Sequence, residues 1–243
     1  MMTIQKTFSD FMKKYPATYK IVMAADKVHQ KPLRKLLDKV ESSIKDQISI
    51  PNNIYISSKV GTSNPKKDTQ VIYFLNEDIS SRTKGFYVIV RFYFPEKSVS
   101  ISLTQGIDSL KGELGGETAK KILSCRRDLV FKILESDLRK YGFSYPDDPK
   151  KMAACAIKKY KIDDKGFNER IISDLNSILT LYSRNIGTFE SVQQEQSDAV
   201  FSLNYIDEIE GRKKKTSTTR YIEERTLEVS LEEVGNLEGD FKE

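Results

Sequence analysis

The segment GFYVIVRFYFPEKSVSISLTQG, residues 85–106, decides the fold of this chain of 243 residues. From residue 98 to residue 104, Ser and Thr alternate with Val, Ile and Leu, which is the period of a strand with one buried and one solvated face. In the first half of the segment, both faces of the predicted strand carry mostly apolar side chains. One face consists of Phe86, Val88, Val90, Phe92 and Phe94, and the other consists of Tyr87, Ile89, Arg91 and Tyr93.

The segment therefore predicts a β-hairpin that turns at residues 95–98. We expect its first strand to be central in a sheet and its second strand to lie towards an exposed side. We also expect the second face of the first strand to be partly packed and partly open to a ligand, at Tyr87 and Arg91.

Apolar residues at helical spacing occur on both sides of this hairpin. They predict helices at residues 8–15, 31–48, 117–141, 152–160 and 166–187. Gly142 is expected to end the third helix, and the glycine-rich segment 110–117 is expected to interrupt the chain before it. Short apolar runs predict strands at residues 54–60 and 71–75, with loops at 61–68 and 76–85. The expected fold class is α+β, with a central twisted, mainly antiparallel sheet flanked by helices.

Charge is distributed unevenly along the chain, whose net charge is +5. Residues 191–243 hold 7 Lys and Arg against 13 Asp and Glu, whereas residues 1–190 hold 33 against 22. This contrast predicts a basic folded domain, residues 1–190, and a flexible polar linker and acidic tail, residues 191–243. A basic body is typical of a protein with a polyanionic partner, and equally of a solvated lysine-rich surface.

Several function classes lack their characteristic residues. No apolar run is long enough to span a membrane, and two cysteines form no secreted disulfide framework, so we expect a cytoplasmic protein. His29 is the one histidine, which excludes a His-rich zinc site and a Ser/His/Asp triad. A phosphate-binding GxxxxGK[ST] loop is absent, and the carboxylates and lysines of residues 146–151 share one loop rather than two strands. The sequence predicts no catalytic residue, metal or cofactor.

Two predicted loops carry side chains that donate hydrogen bonds to phosphate oxygens and base edges. The candidate DNA-binding residues are Lys59, Thr62, Ser63, Asn64, Lys66, Lys67, Arg82 and Lys84. Tyr87 adjoins them and has an aromatic face that could stack on an extruded base. The alternatives remain open: the loops are solvated connections, and Tyr87 is a half-buried sheet residue.

The order of four segments resembles the N-terminal DNA-binding domain of McrB-type, methylation-directed restriction proteins. The segments are GTSN (61–64), TQVIYFLNEDIS (69–80), RTKGFYVIVRFYF (82–94) and VSISLTQGID (99–108). A second block, residues 156–186, is similar to the Tyr-centred turn and closing helix of that family, so the resemblance covers about residues 1–190. It implies a domain that binds duplex DNA, including methylated DNA, and flips a modified base into a pocket. By position, that pocket would contain Thr62, Val71, Tyr87 and Arg91.

The resemblance further implies a nuclease or GTPase partner. Residues 208–221, EIEGRKKKTSTTRY, resemble the linker that precedes a His-Asn-His nuclease domain in some relatives, and no such nuclease follows here. We therefore expect the non-catalytic sensor half of a restriction system, truncated or acting with a separate subunit. Two alternatives stay open. The chain could be an adaptor or assembly subunit that recruits a nuclease or motor, or a stand-alone nuclease with an unrecognised site.

Overall fold

The computed structural model describes residues 3–24, 31–58, 69–146 and 153–194. Within these ranges the chain forms a five-stranded sheet in which each strand pairs antiparallel with the next one along the chain. The strands are β1 (Tyr55–Ser58), β2 (Thr69–Leu75), β3 (Phe86–Tyr93), β4 (Ser98–Gln105) and β5 (Ala154–Lys161). The helices are α1 (Ile4–Ala24), α2 (Lys31–Gln47), α3 (Asp108–Leu114), α4 (Gly116–Lys140) and α5 (Phe167–Arg184), and residues 186–194 are also helical. The expected α+β class, the central position of β3 and the hairpin from β3 to β4 are confirmed.

Helices pack on one face of the sheet, which we call the first face. Phe92 on β3 is fully buried there, and its ring centroid lies 4.9 Å from those of Phe8 and Phe11 on α1. The rings meet edge to face, an arrangement that aromatic quadrupoles favour. The same core includes the apolar stripe of α2, which is Leu33, Leu37, Val40 and Ile44.

Buried polar groups on the first face tie α5 to the sheet. The Tyr182 hydroxyl donates to the backbone oxygen of Phe86 at 2.7 Å. The Asp174 carboxylate accepts from the Tyr160 hydroxyl at 2.8 Å and lies 2.7 Å from the Lys158 ammonium. Burial of a carboxylate is unfavourable unless it has hydrogen-bonding or cationic partners, and here α5 and β5 supply them to each other, so these contacts fix the position of α5 on the sheet.

Helix α1 is longer than the sequence predicts. The expected helix at residues 8–15 stops before Pro16, yet α1 continues through that proline. Proline inside a helix costs about 3 kcal/mol, because it removes one hydrogen bond and crowds the preceding turn. Each buried apolar side chain contributes about 1.5–3 kcal/mol. Phe8, Tyr15 and Val22 are all buried along α1, so tertiary packing outweighs the local preference.

The helix predicted at residues 152–160 is wrong, because residues 154–161 form strand β5. Ala and Lys favour a helix locally, but here the segment pairs with β4. Ala156 lies opposite Leu103 and Tyr160 lies opposite Val99, so the small and aromatic residues of β5 extend the first face. Ser144 forms an isolated bridge with β5 and covers part of its outer edge.

Strand β4 does not have the solvated face that its Ser and Thr alternation predicts, since all eight of its residues are buried. It lies between β3 and β5 rather than towards an exposed side. On the second face, Ser100 is flanked by Arg91 and Lys159, and Ser102 by Ile89 and Ile157. Small polar side chains between longer ones become buried without being apolar.

Four further boundaries can be compared with those predicted from the sequence. The expected interruption in segment 110–117 is confirmed at one residue, since α3 ends at Leu114, α4 begins at Gly116, and Gly115 between them has a φ of 78°. Gly142 does end α4: its φ is 73°, and Phe143 N donates to Leu138 O at 2.9 Å as in a Schellman motif. The predicted helix at 166–187 ends earlier, at Arg184. The expected domain boundary after residue 190 falls inside the helical stretch 186–194, which buries Phe189 and Val192. Residues 195–243, most of the expected tail, lie outside the described residues.

Candidate functional site on the second sheet face

The opposite side of the sheet, which we call the second face, carries a separate side-chain cluster. Among the described residues, this cluster contains only strand residues: Leu75, Tyr87 and Ile89, with Val71 and Tyr73 packed against them. None of the five described strands contains Asp or Glu. Every charged group that the strands contribute to this face is therefore a cation, namely Arg91, Lys159 and Lys161.

An aromatic pair with an arginine forms one part of the second face. The ring centroids of Tyr73 and Tyr87 are 5.7 Å apart, and the guanidinium carbon of Arg82 lies 5.2 Å from the Tyr73 centroid. Arg82 also donates to the hydroxyl of Ser57 on β1. Because Tyr73 is only half-buried, its ring is the more accessible of the two tyrosines.

Tyr87 is the buried member of this aromatic pair, and it contacts the loop that carries Arg82. It is 6% exposed, and its hydroxyl donates to the backbone oxygen of Arg82 at 3.2 Å. Burial raises the pKa of Tyr87 far above its ordinary value, and the neighbouring Tyr73 and Asp108 raise that pKa further. The phenol is therefore neutral at physiological pH and holds the Arg82 loop in place.

Two glycines bring that loop, residues 76–85, close to the sheet. Gly85 has a φ of 76°, a conformation that side chains other than glycine rarely adopt. A Cβ at Gly106 would lie 2.2 Å from the backbone nitrogen of Lys84, and Gly106 N donates to Gly85 O at 2.7 Å. At the start of the loop, the Asn76 carboxamide oxygen accepts from the backbone nitrogens of Asp78 and Ile79 at 3.0 and 3.2 Å. Arg82 thus extends from a rigid loop.

A cationic row forms the other part of the second face. Arg91 on β3 lies opposite Ser100 on β4, and Ser100 lies opposite Lys159 on β5. The Lys159 ammonium is 5.2 Å from the ring centroid of Tyr93, within the range of a cation–π contact. In the described part of the chain, the Nε of Arg91 is buried and has no hydrogen-bond partner.

The structure brings together some of the predicted site residues. Val71 and Arg91 are Cα partners across β2 and β3, and Tyr87 lies on the same face. Lys84 lies elsewhere, lining a cleft of about 550 Å³ together with Arg126 and Glu190. The residues of the first predicted loop lie outside the described residues; they are Lys59, Thr62, Ser63, Asn64, Lys66 and Lys67.

Sequence reasoning missed Tyr73, Lys159 and Lys161. The apolar run VIYFL (71–75) predicts a strand but does not by itself show an open face, although its alternation already separates Tyr73 from Ile72 and Phe74. Lys159 and Lys161 were hidden by the wrong helix at 152–160, since helical spacing does not place them opposite Ser100 and Ser98. The alternation of Ala156, Lys158 and Tyr160 with Ile157, Lys159 and Lys161 was the signal that could have found them.

Other kinds of site find no support in the described ranges. No group of three His, Cys, Asp or Glu residues there could hold a metal ion. No described helix combines the length and apolar character needed to cross a membrane. Burial raises the pKa of the Cys155 thiol, which keeps it protonated and unreactive.

Comparison with known proteins adds no family assignment. No family model matches the chain, and a search of curated proteins returns no match. The fold and the second face define an α+β domain with a cationic, aromatic sheet surface. The McrB-type resemblance depends on the sequence segments quoted above.

Proposed function

We propose that this chain is a DNA-recognition module of a modification-dependent restriction system, and that the second face of its sheet binds duplex DNA. The observation that carries the proposal is the composition of that face: Arg91, Lys159 and Lys161 on strands without a carboxylate. Cations that neutralise phosphates release counterions, which favours binding to a polyanion. The tyrosines beside them supply stacking surfaces.

In this proposal the apolar and aromatic residues of the second face have different roles. Tyr73 and Val71 are half-buried and would contact a base that leaves the duplex, with Arg82 over the Tyr73 ring. Tyr87 lies beneath them and would support the pocket rather than stack directly. In this proposal the chain reads the DNA, and a nuclease or GTPase partner subunit supplies any cleavage or translocation.

Binding to a set of otherwise identical duplexes tests the proposal. One duplex is unmodified, and the others carry methylcytosine, hydroxymethylcytosine or methyladenine. Each is titrated with the full chain at several salt concentrations. We expect at least a tenfold preference for one modified duplex, about 1.4 kcal/mol. If the chain binds all duplexes equally and with a steep salt dependence, it is a DNA-binding protein that does not recognise a modified base. No binding to any duplex would contradict the proposal and favour an adaptor.

A pair of double variants tests the predicted contribution of the first loop. Replacing Lys66 and Lys67 by Ala should weaken DNA binding and reduce its salt dependence. The matched control replaces Lys35 and Lys39, two exposed lysines of α2, by Ala and should leave both unchanged. If the two double variants behave alike, the loop makes no phosphate contact.

A further inference from the structure

Arg91 is an unusual residue for the middle of a sheet face. Its guanidinium is ionised at all physiological pH values, and its side chain is only partly exposed. Within the described ranges its Nε has no hydrogen-bond partner, and no ion pair joins Arg91 to a carboxylate. A partly desolvated charge without a partner is unfavourable in the free protein. An anion at the outer nitrogens of the guanidinium would offset the cost of its charge.

The neighbouring strands place a second cation on the same line. Arg91, Ser100 and Lys159 are consecutive Cα partners across β3, β4 and β5. Adjacent strands are about 4.8 Å apart, so the two cationic residues start roughly 10 Å from each other, within reach of one anion or two consecutive ones. Ser100 between them has a short side chain, so no bulky group separates the two cations.

One carboxylate lies at the end of this face, and it comes from a turn rather than from a strand. Glu96, in the turn between β3 and β4, accepts a hydrogen bond from the Ser98 hydroxyl at 3.3 Å. Lys159 is exposed and keeps its contact with the ring of Tyr93, which holds the ammonium over this part of the face. The row therefore presents a partly buried cation, Arg91, and an exposed one, Lys159, to a ligand from solvent.

We infer that Arg91 and Lys159 form a phosphate subsite, which takes the phosphodiester backbone of the bound nucleic acid. This inference rests on the proposed function and deepens it. It moves Arg91 out of the base pocket, where the family resemblance would place it. The second face then divides into a base-contacting part, Val71 and Tyr73, and a phosphate-contacting part, Arg91 and Lys159. Phosphate contacts position the protein on DNA and carry no information about the base.

The first experiment measures DNA binding by Arg91→Met, which keeps a side chain of similar length without the charge. At moderate salt we expect about a tenfold loss of affinity, and a slope of log affinity against log salt that is shallower by about one. The ratio between modified and unmodified duplexes should not change. Lys132→Met, at an exposed lysine of α4, is the matched control and should retain the wild-type slope.

The second experiment needs no DNA. The melting temperature of the full chain is measured in inorganic phosphate and in chloride at equal ionic strength. Phosphate should stabilise the wild type more than Arg91→Met. In chloride, Arg91→Met should melt at or above the wild-type temperature, since it removes an unpartnered charge. A clearly lower melting temperature would show that Arg91 supports the fold, and would overturn the inference.

The two experiments separate the inference from the proposed function. If the wild type binds DNA and Arg91→Met keeps its affinity and slope, the subsite is wrong and the proposed function stands. If the wild type binds no DNA but phosphate stabilises it through Arg91, the subsite stands and the proposed function is wrong. If the wild type binds no DNA and phosphate stabilises the wild type and Arg91→Met equally, both are wrong.

Discussion

The two faces of the sheet differ in the partners of their buried charged groups. On the first face, the buried Asp174 carboxylate has partners in Tyr160 and Lys158, although the neutral Oε1 of Gln105, opposite Phe86, has none among the described residues. On the second face, the Nε of Arg91 is buried and has no hydrogen-bond partner among the described residues. Natural sequences depart from local consistency mainly where function requires it. Under the proposed function, the first face serves folding and the second face serves binding.

Adjacent residues of one strand can test this contrast most strongly. Phe92 is fully buried between Phe8 and Phe11, whereas Tyr93, next along β3, is half-exposed on the second face. Phe92→Ala should lower the free energy of unfolding by about 3–5 kcal/mol, because it leaves a cavity among aromatic rings. Tyr93→Ala should cost about 1 kcal/mol or less, mostly the cation–π contact with Lys159. Urea denaturation of both variants measures the difference.

Equal losses in these two variants would contradict the division of the sheet into a folding face and a binding face. The slope of each denaturation curve is the internal control, since a changed slope would mean that the variant alters the unfolded or native state rather than stability alone.

The loop that places Arg82 on the second face depends on close backbone contact. In Gly106→Ala the new methyl group would lie 2.2 Å from Lys84 N, so the loop must move. We expect a loss of about 2–3 kcal/mol, the upper range for overpacking. Gly112, inside α3, has open space around it, so Gly112→Ala should be neutral or stabilising by up to about 1 kcal/mol. Thermal unfolding of the pair checks both values.

A second readout tells whether the glycine serves the second face. Displacing the loop would move Arg82 away from the Tyr73 ring, so Gly106→Ala should also weaken DNA binding at temperatures where it is folded. If Gly106→Ala is as stable as the wild type, residues 83–84 can move away from Gly106 without lowering the free energy of unfolding.

Patterns of period two and the helical stripes were sufficient to predict most of the first face. These patterns fail where pairing with a neighbouring strand determines the burial or the secondary structure of a segment. The serines of β4 look solvated in sequence, but two flanking strands bury them. The alanines and lysines of 154–161 favour a helix locally, but pairing with β4 makes them a strand. Lys159 joins the candidate site only through that pairing. Tyr87 and Arg91 could be placed on one face from sequence alone, whereas the missing partner of Arg91 is a property of three-dimensional packing.

The smallest expected effect concerns a tyrosine of the first face at alkaline pH. The Tyr15 hydroxyl donates to the Gln70 side chain at 3.2 Å, and burial, with a smaller contribution from Tyr19, raises the pKa of Tyr15 to about 12. Between pH 10 and pH 12 the unfolded chain releases this proton and the folded chain keeps it, so stability falls as pH rises. Tyr15→Phe should make that fall shallower, by at most about 1.4 kcal/mol per pH unit, the value for one proton. The matched control is Tyr93→Phe on the second face, and urea denaturation at several pH values measures both. A Tyr15→Phe curve parallel to that of the wild type would show that the hydroxyl is solvated, and would remove one of the polar partnerships that distinguish the first face from the second.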